Sequence, residues 1–174
     1  MEKTNLSNNT LSLIALTNEY CHAIEHCLEG NRDMFVARML KLLPRIYITV
    51  SDVDIESGYG EYYIEPVLDE LAYDQVRETL SSLMADEDVY LEVFVEDMKY
   101  SDTPISAFVS ENLADLYQEF FNLIQSVKDA PSEARQSLVE QCKENFINYW
   151  GQTVCNVLRA LNSVFYNVMN EQDY

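Results

Sequence analysis

Basic residues are scarce in this 174-residue chain: eleven Lys and Arg stand against thirty Asp and Glu, a formal charge of −19. Such a surface repels phosphate backbones and anionic lipid headgroups, so neither nucleic acid nor membrane is expected as a partner. Glycine and proline are also few, four of each, which excludes collagen-like and low-complexity chains. Long hydrophobic runs are missing. The stretch Leu11–Leu16 is about a third of what a bilayer requires, and no basic region precedes it. Neither a signal peptide nor a membrane helix is expected, and the chain is assigned to the cytoplasm. The four cysteines, Cys21, Cys27, Cys142 and Cys155, fit neither zinc-pair nor small-disulfide spacing, so they read as reduced thiols.

What is present is the composition of a folded protein, 48% apolar and 11% aromatic. The length predicts a single helical domain over residues 1–174, with 1–10 and 170–174 expected to fray. Leu13, Leu16, Tyr20, Ile24, Cys27 and Leu28 recur at helical steps, closed by Gly30. A second helix opens near Asp33 through Phe35, Met39, Leu42 and Leu43, and Pro44 should bend or stop it. Ile46–Val50 then reads as a short strand or as the buried end of the same helix. A third helix is expected over Val67–Met84, with Val67, Leu68, Leu71, Val76, Leu80 and Leu83 as its apolar side. Val89–Val95 alternates with a period of two and reads as an extended connector. From Glu111 the face Leu113, Leu116, Tyr117, Phe120, Leu123, Ile124 and Val127 predicts a fourth helix. Pro131 and Glu133 open a fifth through Leu138, Cys142, Phe146 and Tyr149. Val154, Leu158, Leu161, Phe165 and Val168 mark a sixth. The fold class is all-α, a bundle of about six helices whose short connections favour antiparallel neighbours, with room for one short irregular or two-stranded β element.

Charge is distributed unevenly. Residues 51–98 hold fifteen acids and one base, Arg77, a local charge of −14, against zero for residues 1–50 and −5 for residues 99–174. Ser57-Gly58-Tyr59-Gly60 marks a turn within this acidic third.

Few motifs carry chemistry. His22-Ala-Ile-Glu25-His26 matches the inverted zinc-protease pattern H-x-x-E-H, in which two histidines one turn apart hold zinc and a glutamate activates water. On the helix, however, His22 lies opposite the core stripe, sharing the outward face with Asn18, Glu25 and Glu29. Glu19-Tyr-Cys-His22 fits E-x-x-H, but a carboxylate di-metal bundle needs that motif twice. Asp52-Val-Asp54-Ile-Glu56 begins like a calcium loop, then fails: Ser57 stands where glycine is required and Tyr63 where glutamate is required. No G-x-S-x-G, G-x-x-x-x-G-K-[ST] or G-x-G-x-x-G occurs, so nucleophilic and phosphoryl-transfer chemistry have no visible footing.

The segment NFINYWGQTVCNVLRALN, Asn145–Asn162, resembles the signature of the bacterial family catalogued as domain of unknown function 5063. The stretch VYLEVFVEDMKYSDTPISAFVSENLADLYQEF, residues 89–120, is similar to that family's second recurrent block. Together they extend the resemblance from about Leu11 to Asn162, with Trp150-Gly151, Leu158-Arg159-Ala160-Leu161 and Asp115-Leu116-Tyr117 its most specific parts. The resemblance implies a compact, mostly helical, intracellular protein and brings no established activity. The chain departs at Gln152, where a histidine is expected, so no role resting there carries over.

Aromatic and guanidinium groups are the usual anchors of recognition, which makes Tyr117, Trp150, Gly151 and Arg159 binding candidates. In the structural reading Trp150 fills core, Gly151 lets helices approach closely or separates them, and Arg159 pairs with Asp115 or Glu119. In the functional reading these residues line a groove for a peptide or a small anion. The leading expectation is a non-catalytic module that binds a basic protein partner through segment 51–98, without a cofactor. The alternatives are a metal-dependent hydrolase or metal-binding protein built on His22, Glu25 and His26, and a small-ligand sensor with a pocket by Trp150 and Arg159.

Overall fold

Most of the apolar periods become helices, and three of these start at a side-chain cap that satisfies a first-turn amide. The computed structural model describes residues 6–55, 62–92, 99–100 and 103–171, with the side chains of the last helix described to residue 167. α1 (Asn8–Glu25) begins where Ser7 Oγ accepts the Thr10 amide at 3.1 Å, inside the stretch expected to fray. Asn31 caps α2 (Arg32–Ser51) by accepting from the Met34 amide at 2.9 Å. Asp69 caps α3 (Glu70–Met84) through the Ala72 amide at 2.8 Å.

Pro44 does not stop α2, which runs through it to Ser51, so Ile46–Val50 is helix rather than strand. Proline inside a helix costs about 3 kcal/mol. Here Phe35, Val36, Met39, Leu42, Leu43, Ile46 and Val50 are buried on both sides of Pro44, and fully burying even two such side chains offsets that cost at about 1.5 to 3 kcal/mol each.

The expected connector is partly a strand. β1 (Val89–Glu92) pairs antiparallel with β2 (Ile105–Phe108), Val89 opposite Phe108 and Glu92 opposite Ile105. Val93–Val95, like Ser57–Gly60, lies outside the described residues. α4 (Val109–Asp129) follows β2 directly and has no cap of its own. Buried Asp88 supplies one from before β1, accepting the Ser110 amide at 2.7 Å and the Ser110 hydroxyl at 2.8 Å.

α5 (Arg135–Asn145) and α6 (Gly151–Glu171) are joined by the π-helical turn Phe146–Trp150. The fifth and sixth helices are therefore consecutive parts of one unbroken helical run rather than antiparallel neighbours. Gly151 makes the wide turn possible. A Cβ there would stand 2.7 Å from the Phe146 carbonyl oxygen and 2.8 Å from its ring.

α1 packs on α2 and α4, α2 on α6, and α6 on α4, closing a four-helix ring; α3 lies against α4 from outside, and α5, continuous with α6, packs on α4 and α1. The core of the ring is a run of edge-on aromatics: Tyr20 on Phe120 at 5.1 Å, Phe120 on Trp150 at 5.1 Å, Trp150 on Phe146 at 4.8 Å. In α3 only Leu80 and Met84 are fully buried. Leu71, expected in the core, is exposed, because nine residues at 100° each set it about 180° around the helix from Leu80.

Candidate interaction surface

Between α2 and α3 the chain crosses α4 and α5 as an extended strap, Tyr62–Leu68, that belongs to no sheet. Its backbone amides still need partners, and neighbouring side chains provide them. Asn122 Oδ1 accepts from the amides of Val67 (3.0 Å) and Leu68 (2.9 Å), and Ser126 Oγ from Glu65 (2.9 Å). Gln141 Oε1 accepts from Ile64 at 3.2 Å while its amide donates to the Tyr62 carbonyl at 2.6 Å. These polar side chains act as a substitute strand. Sequence reasoning missed them, although the signal was there: Asn122 and Ser126, four apart, interrupt the otherwise apolar α4 stripe.

The strap thus fixed and the first turn of α3 present apolar groups to water. Tyr63, Val67 and Leu71 are 63%, 49% and 69% exposed, interleaved with the exposed carboxylates of Glu65, Asp69, Glu70 and Glu78. A groove of about 250 Å³ under the strap is lined by Tyr62, Tyr63, Glu65, Val67, Asp129 and Leu138, among others. It lies at the C-terminal end of α4, where the helix carbonyls add partial negative charge.

A second cluster joins α3, α4 and the π turn. Asp115 accepts from the Tyr73 hydroxyl at 2.7 Å and from the Tyr149 hydroxyl at 3.2 Å, and Asn145 donates to Glu119 at 3.2 Å. Burial and the neighbouring Asp115 push the Tyr149 phenol up to about 12 and raise Tyr73 further. Burial, with help from Asp115, also raises the Glu119 carboxyl above its ordinary value, against the lowering effect of its Asn145 hydrogen bond.

The expected metal candidates share one helix face. His22 and His26 stack with ring centroids 4.0 Å apart and planes 17° from parallel, and His26 Nδ1 contacts the His22 carbonyl at 2.8 Å. Imidazole binds metal in the ring plane, so near-parallel rings do not converge on one ion. Glu25 Oε1 accepts from the Tyr117 hydroxyl at 2.9 Å, and among the described residues no three His, Cys, Asp or Glu side chains group to hold a metal. Asp52 ends α2, and the Lys143 ammonium donates to the Ser51 and Val53 carbonyls beside it. A cation from the chain itself thus neutralises the helix terminus where the calcium-like segment starts.

The binding candidates separate. Tyr117 faces α1 and lines a groove between α1, α3 and α4 with Glu25 and Val76. Trp150 is fully buried, its indole donating to the Cys142 carbonyl at 3.1 Å. Arg159 is exposed on α6. All four cysteines are free thiols, and burial pushes Cys21 up to about 12 and raises Cys27 and Cys142, so these three stay protonated and poorly nucleophilic at neutral pH.

Residues 4–167 match the family described as Domain of unknown function (DUF5063). The chain belongs to this family. Protein BF1032 from Bacteroides fragilis, known from a crystal structure, is 29% identical, with a TM-score of 0.80 over 92% of this chain and 94% of its own. No curated protein matches. In this DUF5063 chain the recurrent motif residues have structural work: Trp150 fills the ring, Gly151 admits the π turn, and Asn145 and Tyr149 tie that turn to the acids of α4. Among the described residues no helix is long and apolar enough to cross a membrane.

Proposed function

We propose that the chain is a non-catalytic interaction domain whose strap and α3 bind a basic, partly apolar protein partner. One observation carries the reading: Tyr63 and Val67, on a strap that neighbouring side chains hold in place, and Leu71, in the first turn of α3, stand exposed among carboxylates. An acidic surface alone needs only charge, whereas recognition surfaces combine apolar anchors with a polar rim. The carboxylates would speed encounter with a basic partner and set its orientation, and the apolar groups would supply the contact that outlasts encounter.

The test is titration of the full chain with a labelled amphipathic lysine–leucine peptide at low salt and at roughly 1 M salt, where the Debye length falls to about 3 Å. Binding should weaken steeply with salt and fall at least tenfold in a Glu70→Gln, Glu78→Gln variant. Binding unchanged by either would contradict the proposal.

A further inference from the structure

The chain also carries the complement of its acidic face. The outward side of α2 presents Arg38, Lys41, Arg45 and Ile48, all exposed, Ile48 by 61%. In a protein with thirty acids, Lys41 and Arg45 make no ion pair with any described residue, and Arg38 makes one long contact with Glu19 at 3.8 Å. Beside them lies a mostly apolar groove of about 480 Å³ between α1 and α2, lined by Ala15, Leu16, Arg45 and Ile48 among others.

The spacing matches. On the outward side of α3, Leu71, Asp74 and Glu78 stand at i, i+3 and i+7. Read in the opposite direction along α2, Ile48, Arg45 and Lys41 stand at the same intervals, each set spanning about 10.5 Å at 1.5 Å per residue. An α3 laid antiparallel on α2 sets Leu71 over Ile48, Asp74 at Arg45 and Glu78 at Lys41. Apolar meets apolar, and each carboxylate meets a base. The pairing cannot close within one chain, because α2 lies diagonally across the ring from α4, and α3 packs on the outside of α4. Arg77, which holds Asp74 at 3.5 Å and Glu78 at 4.0 Å, makes only exposed pairs of the kind that exchange at little cost.

We propose that the α1–α2 groove is the docking site for α3 of a second copy of this chain, in a head-to-tail association. The inference rests on the acidic face being an interaction surface and names what it meets. A head-to-tail contact leaves each end copy one face free until a ring closes, so assemblies should grow with concentration.

Sedimentation of the full chain at roughly 0.1 M salt, where the Debye length is about 10 Å, should give an average mass above 20.2 kDa that rises with concentration and collapses at roughly 1 M salt. A Lys41→Glu, Arg45→Glu variant and an Asp74→Lys, Glu78→Lys variant should each associate at least tenfold more weakly while keeping helical circular dichroism. An equimolar mixture of the two should associate again, since each supplies the face the other lacks. A monomer at every concentration, association unaffected by either variant, or a mixture that stays apart would overturn the inference. Monomeric wild-type chain that still binds the lysine–leucine peptide would overturn self-docking alone; loss of peptide binding as well would overturn the acidic-face reading with it.

Discussion

The four-helix ring and the strap laid outside it are held by different forces. In the ring, backbone groups pair within their own helices and one side of each helix buries its apolar side chains, the largest being Trp150, Tyr20 and Phe120. In the outer layer, Asn122, Ser126 and Gln141 satisfy strap amides one by one, while Tyr63, Val67 and Leu71 remain in water. The ring and the seat of α3 on α4 are stabilised by area removed from water, the strap by a few hydrogen bonds. A surface held by the few can change its exposed side chains without unfolding the many, which suits recognition.

That contrast is open to direct attack. Trp150→Ala removes the largest ring side chain and should cost about 3 to 5 kcal/mol in a urea melt. Asn122→Ala leaves the buried Leu68 amide without an acceptor and the Val67 amide with only the Glu65 carbonyl, and should cost about 1 to 3 kcal/mol. Hydrogen exchange should then accelerate in the strap and leave α1 and α6 unchanged; uniform acceleration would deny the division. Burial raises the Glu119 carboxyl above its ordinary value in the fold, so its contribution is present at acid pH and is lost as pH rises through that raised value. Glu119→Gln should therefore raise the melting temperature at pH 7, with the gain vanishing as pH falls below the ordinary carboxylate range. Tyr149 has the same sign at the alkaline end: stability present below pH 10 should fade as pH climbs through about 12. Tyr149→Phe should flatten that part of the profile, read by thermal melts across the window. Smallest of all, Glu70→Gln with Glu78→Gln should change stability by no more than about 0.5 kcal/mol.

The regular part of the fold was legible because α4 carries a long 3.6-residue apolar period and all seven expected positions are buried. Pro44 misled because local propensity is weaker than burial on both sides of it. Leu71 misled because α3 packs on α4 through a narrow face that a run of apolar letters does not reveal. β1 was visible as an alternating run, but its partner Ile105–Phe108 lacks that pattern. The join at Trp150-Gly151 could not be told from a loop, since glycine serves both a break and a close approach. Of the candidate residues, His22 was correctly placed on the outward face of α1. The strap and its three anchoring side chains went unseen, because which amides Asn122 meets depends on how a distant segment lies across α4.

The central claim is that the exposed apolar residues of the outer layer serve recognition and not stability, and Leu71→Ser tests it without altering charge. Its melting temperature and its affinity for the lysine–leucine peptide should be measured side by side. The account predicts stability within about 0.5 kcal/mol of wild type and an affinity at least tenfold lower. Unchanged affinity, or a loss of stability like that of a core residue, would contradict it.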